Sequence, residues 1–187
     1  MFRGFSRNVG IALRLACFDA SRAGDLPDNN RDFWLSFVAF PITILFAYIQ
    51  NVILASSDLG LETAGAALSL KLTLIMAVVW LASLHLAAAF SEQFGREHAW
   101  VKFAIASNFC AIAQALIATS VMGITAVLGA LPRTYDAATL ILFLWSIAYD
   151  WYVARRILGL SKLQTTILIC LELMLLLMLL STVGRTG

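Results

Sequence analysis

The chain has 187 residues, of which 61% are hydrophobic and 13% are charged, and its mean hydropathy is +0.87. Soluble domains average about 45–50% apolar residues, so this composition excludes an ordinary soluble domain and predicts a membrane protein. The formal net charge of +2 is too small to indicate a nucleic-acid partner. Cys17, Cys110 and Cys170 lack the spacing of a redox pair or a zinc site, so no disulfide framework is expected.

The amino-terminal segment, residues 1–32, precedes the first long apolar stretch. Its apolar residues recur every three or four positions and its arginines occupy the other side, which predicts an amphipathic helix on a membrane surface. The apolar positions are Phe2, Phe5, Val9, Ala12, Leu13 and Ala16, and the basic ones are Arg3, Arg7 and Arg14. Because Arg14 interrupts the apolar run and no cleavage site follows, we do not expect a secretory signal peptide.

Five apolar stretches are long enough for a crossing of roughly 20 residues. The predicted spans are residues 33–55, 68–90, 101–130, 137–154 and 165–183, joined by short polar loops. Pro41 removes the helical partner of the Phe37 carbonyl, so we expect a kink in the first span. The third stretch exceeds one crossing, so it tilts, bends near Gly123 or projects outward. The sequence thus predicts an all-α, five-transmembrane-helix bundle forming a single membrane domain, residues 1–187, with an N-terminal amphipathic interfacial helix.

Lysines and arginines predict the orientation, because cationic loops stay on the cytoplasmic face. Most of the 13 basic residues lie on the amino-terminal side, and the exceptions are Lys71, Arg133 and Arg185. The indoles expected at the interface on the basic side are those of Trp34, Trp100 and Trp151. We therefore expect a multi-pass membrane protein with a cytoplasmic amino terminus and an external carboxyl terminus.

Strongly polar side chains interrupt the apolar stretches at a common level. With a rise of about 1.5 Å per residue, Glu172 and Asn108 each lie about 10 Å from the cytoplasmic start of their spans. An ionised group that faces lipid costs about 2.5–3.5 kcal/mol, so inward-facing, paired side chains are expected. The predicted intramembrane polar cluster is Glu172, Asn108, His85, Asp150 and Gln114. Such a cluster is either glue between helices or a proton or ion site.

Small residues recur every four positions along the third span. They are Ser107, Ala111, Ala115, Thr119 and Gly123. A stripe of this kind allows another helix to approach closely, which predicts a central position for this span. Packing within the chain is favoured over packing against a second copy.

Basic residues near the predicted cytoplasmic surface attract anionic lipid headgroups or act only as topology signals. They are Arg3, Arg7, Arg14, Arg155 and Arg156. Asp150 has a second possible role, because it can pair with either of the last two arginines or reach the interface instead of joining the cluster.

The motifs of common enzyme classes are missing from the sequence. It contains no H-E-x-x-H, P-loop or G-x-S-x-G motif and no carboxylates with metal-ligand spacing. His85 and His98 fall in a span and a loop, so neither a metal site nor another cofactor is expected. The lack of an internal repeat argues against the two-halved architecture of many secondary transporters.

Two segments suggest a family. "RDFWLSFVAFP" at 31–41 begins the first span, and "LWSIAYDWYVARRILGLSKLQTTILICLELML" at 144–175 combines an aromatic-rich helix, arginines, a Leu-Gly turn and an acidic last helix. With its five close spans and short external tail, the chain resembles the small bacterial members of the Yip (Ypt-interacting-protein) domain family. The acidic-Tyr-Gly-Pro and Gly-Tyr motifs of eukaryotic members are absent, so the resemblance does not extend to vesicle traffic.

The family resemblance implies a non-enzymatic membrane protein that organises membrane and partner proteins, and it supplies no catalytic residues. We therefore expect a scaffold or accessory subunit of a bacterial inner (cytoplasmic) membrane that contacts the lipid bilayer, anionic lipids and an unidentified protein partner. The alternative is a small proton- or ion-coupled carrier that uses the polar cluster around Glu172.

Overall fold

A computed structural model describes residues 2–56, 66–128 and 132–184, and the side chains of residues 4–50, 75, 77–128, 136–179 and 181. These residues form helices and turns, with no strand in the described ranges. The side chains of Arg3, Lys71 and Arg133 and the whole of Arg185 lie outside the described residues, so the predictions made for them stay predictions.

Seven α-helices and one short 3-10 helix follow one another along the described residues. They are α1 (Phe2–Ala16), the 3-10 helix (Ala23–Asp25), α2 (Asn30–Ser36), α3 (Ala39–Ser56), α4 (Ala66–Gln93), α5 (Glu97–Val127), α6 (Pro132–Leu158) and α7 (Lys162–Gly184). The fold is therefore all-α.

Four helical segments within the described residues are long and apolar enough to cross a membrane, which supports a multi-pass membrane protein. They are Asn30–Gln50, Glu97–Val127, Asp136–Leu158 and Lys162–Leu179. Helix α4 covers the remaining predicted span, but the side chains of residues 66–74 lie outside the described set. A fifth crossing by α4 therefore stays a prediction.

The first apolar stretch is interrupted where the sequence places a proline. Helix α2 ends at Ser36 and α3 begins at Ala39, two residues before Pro41. The Phe37 carbonyl, which has no partner at Pro41, accepts instead from the amide of Phe40 at 3.1 Å. The expected kink is thus a break between two helices, because the proline removes the bond that would continue the ladder.

Helix α5 lies at the centre of the bundle and packs against α1, α2, α3, α4 and α6. It is one continuous helix of 31 residues, with no interruption at Gly123. At about 1.5 Å per residue it is about 46 Å long, which exceeds the roughly 30 Å hydrocarbon core. Its amino-terminal half supplies most of the buried side chains, including Phe103, Ile105 and Phe109.

Two tight turns bring the ends of four helices together. Gly95 connects α4 to α5 and Gly159 connects α6 to α7, and both have φ of +64°, which glycine adopts without steric cost. The Arg96 guanidinium lies 3.8 Å from the position that a Cβ on Gly159 would occupy. The two turns are therefore neighbours. We use the name basic end for the end of the bundle that they form, residues 17–29 and the exposed α1 arginines Arg7 and Arg14.

Helix α1 packs across α5 and α6 through a face that differs from the predicted one. The fully buried apolar residues are Ile11, Ala12, Leu15 and Ala16, whereas Phe5, Val9 and Leu13 are half-buried. Ile11 and Leu15 were not among the predicted apolar positions, so the buried face is turned by about one residue. A helix covered by two neighbours buries a wider arc than periodicity alone predicts.

Candidate functional site

The centre of the predicted polar cluster is a hydrogen-bonded group on α5 and α6. The Gln114 side-chain amide donates to Asp150 Oδ1 at 2.9 Å and to Ser146 Oγ at 3.1 Å. Ser146 and Asp150 are one helical turn apart on α6, so a single amide can reach both.

Glu172 on α7 interacts electrostatically with Asp150 of this group, and its side chain is half-buried. Two carboxyl groups that share an apolar environment favour a proton or a cation between them over two free anions. The structure thus brings together three predicted members, Gln114, Asp150 and Glu172.

Asn108, a fourth predicted member, is bonded elsewhere. Its side chain is 0% exposed, and its amide donates to Ser36 Oγ on α2 at 2.8 Å. Ser36 in turn donates to the Phe33 carbonyl at 2.6 Å. Asn108 therefore joins α5 to α2, and its Oδ1 has no hydrogen-bond partner within the described residues.

His85, the fifth predicted member, is not part of the group either. Its imidazole is exposed on α4, and it makes no hydrogen bond or ion pair in the described part of the chain. The prediction of one five-residue cluster is corrected accordingly. The position of a residue along its helix does not determine the direction in which its side chain points.

The small-residue stripe contacts another helix of the same chain at one level. Thr119 accepts a hydrogen bond from the Gln50 side chain of α3 at 2.9 Å, and it donates to the Ala115 carbonyl at 2.8 Å. The other stripe residues, Ser107, Ala111 and Gly123, are half-buried along α5.

Helix α1 is held to the bundle by one buried hydrogen bond and two aromatic contacts. The Tyr149 hydroxyl, on a side chain with 0% exposure, donates to the Ala12 carbonyl at 3.0 Å. The rings of Phe5 and Phe109 meet edge to face with their centroids 5.4 Å apart. The buried Cys110 thiol lies against the same Tyr149 hydroxyl.

Asn8 is a buried polar residue of α1 in this contact. Its side chain is 0% exposed, yet neither its amide nitrogen nor its carbonyl oxygen has a hydrogen-bond partner in the described structure. Each buried polar group left unpaired costs about 1–3 kcal/mol. The helical periodicity places Asn8 one turn before Ala12, in the middle of the buried face, where an apolar residue would fit better.

The end of α1 has an unusual conformation. The amides of Phe18 and Asp19 donate to the carbonyls of Leu15 and Arg14 at 2.8 and 3.0 Å, which is a Schellman motif. The left-handed position is occupied by Phe18, with φ of 58°, where glycine is usual. The Phe18 ring meets that of Tyr152 on α6 edge to face at 5.4 Å, which offsets part of the backbone strain.

Asp19 completes this turn. Its carboxylate accepts from the Ser21 amide at 2.9 Å and forms an ion pair with Arg14 at 3.5 Å. The hydrogen bond from Ser21, followed by the charge of Arg14, holds the pKa of Asp19 below its ordinary value of 3.8. Asp19 is therefore ionised at neutral pH.

The basic end presents exposed cations over aromatic rings. Arg7, Arg14 and Arg156 are exposed, and Arg155 is half-buried. The Arg155 and Arg156 guanidinium groups lie 5.3 and 5.5 Å from the ring centroids of Trp151 and Tyr152, respectively. These cation–π contacts orient both side chains. Within the described residues, neither arginine forms a salt bridge with Asp150.

A contact between α5 and the connection from α1 to α2 also stabilises this end. Lys102 of α5 donates to the Gly24 carbonyl at 2.8 Å, which fixes the connection between α1 and α2 against the bundle. Within the described residues, Arg14–Asp19 is the one salt bridge. Several cations of the basic end are therefore not neutralised by carboxylates of the chain.

A group of aromatic rings connects α2 and α3 to α4 and α5. It was not among the predicted features. Its members are Phe33, Trp34, Phe37, Phe40, Trp80 and Trp100. Phe40 and Trp80 stack with their planes 4° apart, and the Trp100 indole donates to the Leu84 carbonyl at 3.2 Å. The spacing of residues 33, 37 and 40 was the available signal, because it places three rings on one helical face.

No group of three or more histidine, cysteine, aspartate or glutamate side chains in the described ranges is arranged to hold a metal ion. Comparison of the chain with protein-family models, with curated proteins and with solved structures gave no match. The resemblance to the Yip domain family stays a hypothesis.

Proposed function

We propose that the protein is a non-enzymatic scaffold or accessory subunit of a bacterial inner membrane, with its basic end in the cytoplasm. In this proposal five helices cross the bilayer, α1 is docked on α5 and α6 on the cytoplasmic side, and the carboxyl terminus is external. The basic end then binds anionic lipid headgroups and a protein partner.

The observation that carries this proposal is the exposed, largely unneutralised positive charge of the basic end. Arg7 and Arg156 are exposed and have no carboxylate partner within the described residues. Cytoplasmic membrane surfaces are negatively charged, and each basic residue near such a surface contributes about 1 kcal/mol of binding. Trp34, with 69% exposure, provides the amphipathic ring that favours the same interface.

The layout of the helices supports the same role. Short turns at Gly95 and Gly159 and the contacts of Lys102 and Arg96 make the basic end compact. A compact, charged end on a membrane-embedded bundle suits a docking surface. The Yip-like segments at 31–41 and 144–175 favour the same interpretation, since that family organises membranes without catalysis.

Lipid binding is tested with the double variant Arg7→Glu/Arg156→Glu in nanodiscs that contain phosphatidylglycerol and phosphatidylcholine. Native mass spectrometry should show at least about a tenfold loss of affinity for phosphatidylglycerol, given about 1 kcal/mol for each arginine. The matched control, Arg7→Lys/Arg156→Lys, keeps the charge and should bind as the wild type does. Equal binding by the glutamate and lysine variants would contradict the proposal.

Partner binding is tested by cross-linking in cells, followed by purification and mass spectrometry. A scaffold should retain one stoichiometric partner in the wild type and in Glu172→Gln, because the basic end is unchanged in that variant. The Arg7→Glu/Arg156→Glu variant should lose the partner. Retention by all three proteins, or by none, would count against the basic end as a docking surface.

The second candidate function is a proton- or ion-coupled carrier, and the group around Asp150 favours it. Gln114 holds one Asp150 oxygen at 2.9 Å, and Glu172 approaches from α7. Two carboxyl groups on adjacent helices provide a place where a proton or a monovalent cation is bound within the bundle.

Flux measurements in reconstituted vesicles separate the two candidates. If the protein is a carrier, a gradient should drive acidification of the vesicle interior or uptake of the cation. Glu172→Gln and Asp150→Asn should then abolish this flux. Glu97→Gln, at the exposed start of α5, is the control and should leave the flux unchanged. Wild-type vesicles without any flux would exclude the carrier.

A further inference from the structure

We propose that α1 is a reversible latch: it leaves α5 and α6 for the membrane surface and thereby uncovers the surface that contains Phe109, Cys110 and Tyr149. This inference does not depend on whether the protein is a scaffold or a carrier. It rests on the contacts between α1 and the bundle, and on the interactions with lipid and water that would replace them at the membrane surface.

The first step concerns the apolar face of α1. In water, burying Ile11, Leu15 and their neighbours would hold the helix firmly in place. In a bilayer the hydrophobic effect supplies no such preference, because lipid tails are as apolar as the side chains that α1 covers. An amphipathic helix is also stable on the membrane surface itself. Specific contacts therefore decide whether α1 stays docked.

The second step concerns Asn8, which weakens the docked state. Its amide is completely buried and unpaired on both sides. At the membrane surface the same side chain reaches water and headgroups, so release satisfies both of its polar atoms. An asparagine at the centre of a buried face thus favours departure of the helix that carries it.

The third step concerns what holds α1 against this tendency. The Tyr149 hydroxyl bonds the Ala12 carbonyl and the Phe5 ring contacts Phe109. The Phe18 ring contacts Tyr152. The Phe18 contact lies at the carboxyl-terminal end of α1, next to the connection that Lys102 fixes through Gly24. The carboxyl-terminal end is therefore the hinge, and the amino-terminal part of α1 is the part that moves.

Release has a defined consequence for the bundle. It breaks the hydrogen bond of Tyr149 and exposes Cys110, which is 2% exposed while α1 is docked. The surface between α5 and α6 then offers a hydroxyl, a thiol and the Phe109 ring to whatever approaches it. Cys110 is consequently a native reporter of the latch.

Spin labels measure the latch directly. We suggest labels at native Cys170 and at Gly10→Cys in a Cys17→Ser/Cys110→Ser background, because Cys170 and Gly10 are exposed and Gly10 has no atom within 4 Å of an added Cβ. In nanodiscs, double electron–electron resonance should give two distance populations. Asn8→Leu should reduce the released population about tenfold.

The control is Asn30→Leu, the same substitution at an exposed position of α2, which should leave both populations unchanged. A single distance population that is identical in the parent and in Asn8→Leu would overturn the latch. So would an equal effect of Asn30→Leu and Asn8→Leu.

Thiol reactivity provides a second readout without spin labels. In a Cys17→Ser/Cys170→Ser background, N-ethylmaleimide should modify Cys110 about tenfold more slowly when Asn8→Leu is added. Intact-mass spectrometry follows the reaction. A Cys110 that reacts at the same rate with and without Asn8→Leu, or that reacts in neither protein, would count against release of α1.

Discussion

Two buried asparagines lie where the central helix α5 meets its neighbours, and they differ in whether the facing helix offers a hydrogen-bond partner. Asn108 on α5 and Asn8 on α1 are both 0% exposed. Asn108 has a partner, because α2 presents the Ser36 hydroxyl at 2.8 Å, whereas α5 and α6 present nothing to Asn8 within hydrogen-bond distance. The residue type is the same, and the facing helix decides whether the amide joins two helices or separates them.

This difference shows why a polar residue in an apolar segment has no fixed meaning. Interhelical hydrogen bonds in membrane proteins contribute about 0.6 kcal/mol on average, and an unpaired buried group costs about 1–3 kcal/mol. The loss from a missing partner is thus larger than the gain from a present one. The α2–α5 contact is expected to be permanent, and the α1–α5 contact is expected to be reversible.

The largest expected effect comes from making the same substitution at both asparagines. Asn108→Leu removes the bond to Ser36, so the free energy of unfolding should fall by about 1 kcal/mol. Asn8→Leu removes an unpaired amide, so the same quantity should rise by about 1 kcal/mol. Thermal unfolding in detergent, followed by circular dichroism, measures both. Changes of the same sign would refute the comparison.

A smaller effect is expected at the bond that opposes release. Tyr149→Phe removes the hydroxyl that bonds Ala12, and the loss should be about 1 kcal/mol. The spin-label measurement should show an increased released population of α1. Tyr152→Phe is the matched control, because the Tyr152 ring contact with Phe18 does not use its hydroxyl. An equal response of the two tyrosine variants would mean that the bond to Ala12 does not hold the latch.

A still smaller effect is expected at a paired amide far from α1. Gln50→Leu removes the hydrogen bond to Thr119 and should lower the free energy of unfolding by about 0.6 kcal/mol, the average for such pairs. The position of α1 should not change, since Gln50 lies on α3. Unfolding and spin-label data on the same variant separate the two effects. A shift in the α1 populations would show that the contacts are coupled.

Much of the fold follows from the sequence. Apolar length predicts the helices α3 to α7 and their short connections, because backbone groups in a bilayer must bond within the helix. Pro41 predicts a kink in the first span, because proline has no amide hydrogen to bond the Phe37 carbonyl. In the structure this kink is a break between α2 and α3. The exposure of His85 and the pairing of Asn108 with Ser36 do not follow, since both depend on how helices rotate about their axes.

The candidate site was predictable only in part. Gln114 bonds Asp150 and Glu172 interacts electrostatically with Asp150, but position along the helices does not by itself determine these contacts. The burial of Asn8 was not predictable. The sequence indicated an apolar side and a charged side of α1, and asparagine is neither apolar nor charged. A helix that two neighbours cover can bury a polar residue that periodicity assigns to its border.

The smallest expected effect is a pH dependence at the hinge of the latch. The Asp19 carboxylate accepts from the Ser21 amide and pairs with Arg14, so its pKa in the folded protein is below the ordinary value of 3.8. A lowered pKa means that the stabilisation is complete above that ordinary value and is lost as the pH falls through the lowered one. The released population of α1 should therefore increase slightly below about pH 4, an expectation for a typical aspartate.

Asp19→Asn isolates this contribution, because other carboxyl groups of the chain also titrate in acid. The variant lacks the ionisation at the hinge, so the difference between wild type and Asp19→Asn should shrink as the pH falls. Spin-label distances between Gly10→Cys and Cys170, measured at neutral and acidic pH, give that difference directly. A difference that stays constant across the acidic range would show that Asp19 does not act through its charge. The Schellman turn and the Phe18 ring would then restrain this end of α1 without a contribution from the Asp19 charge.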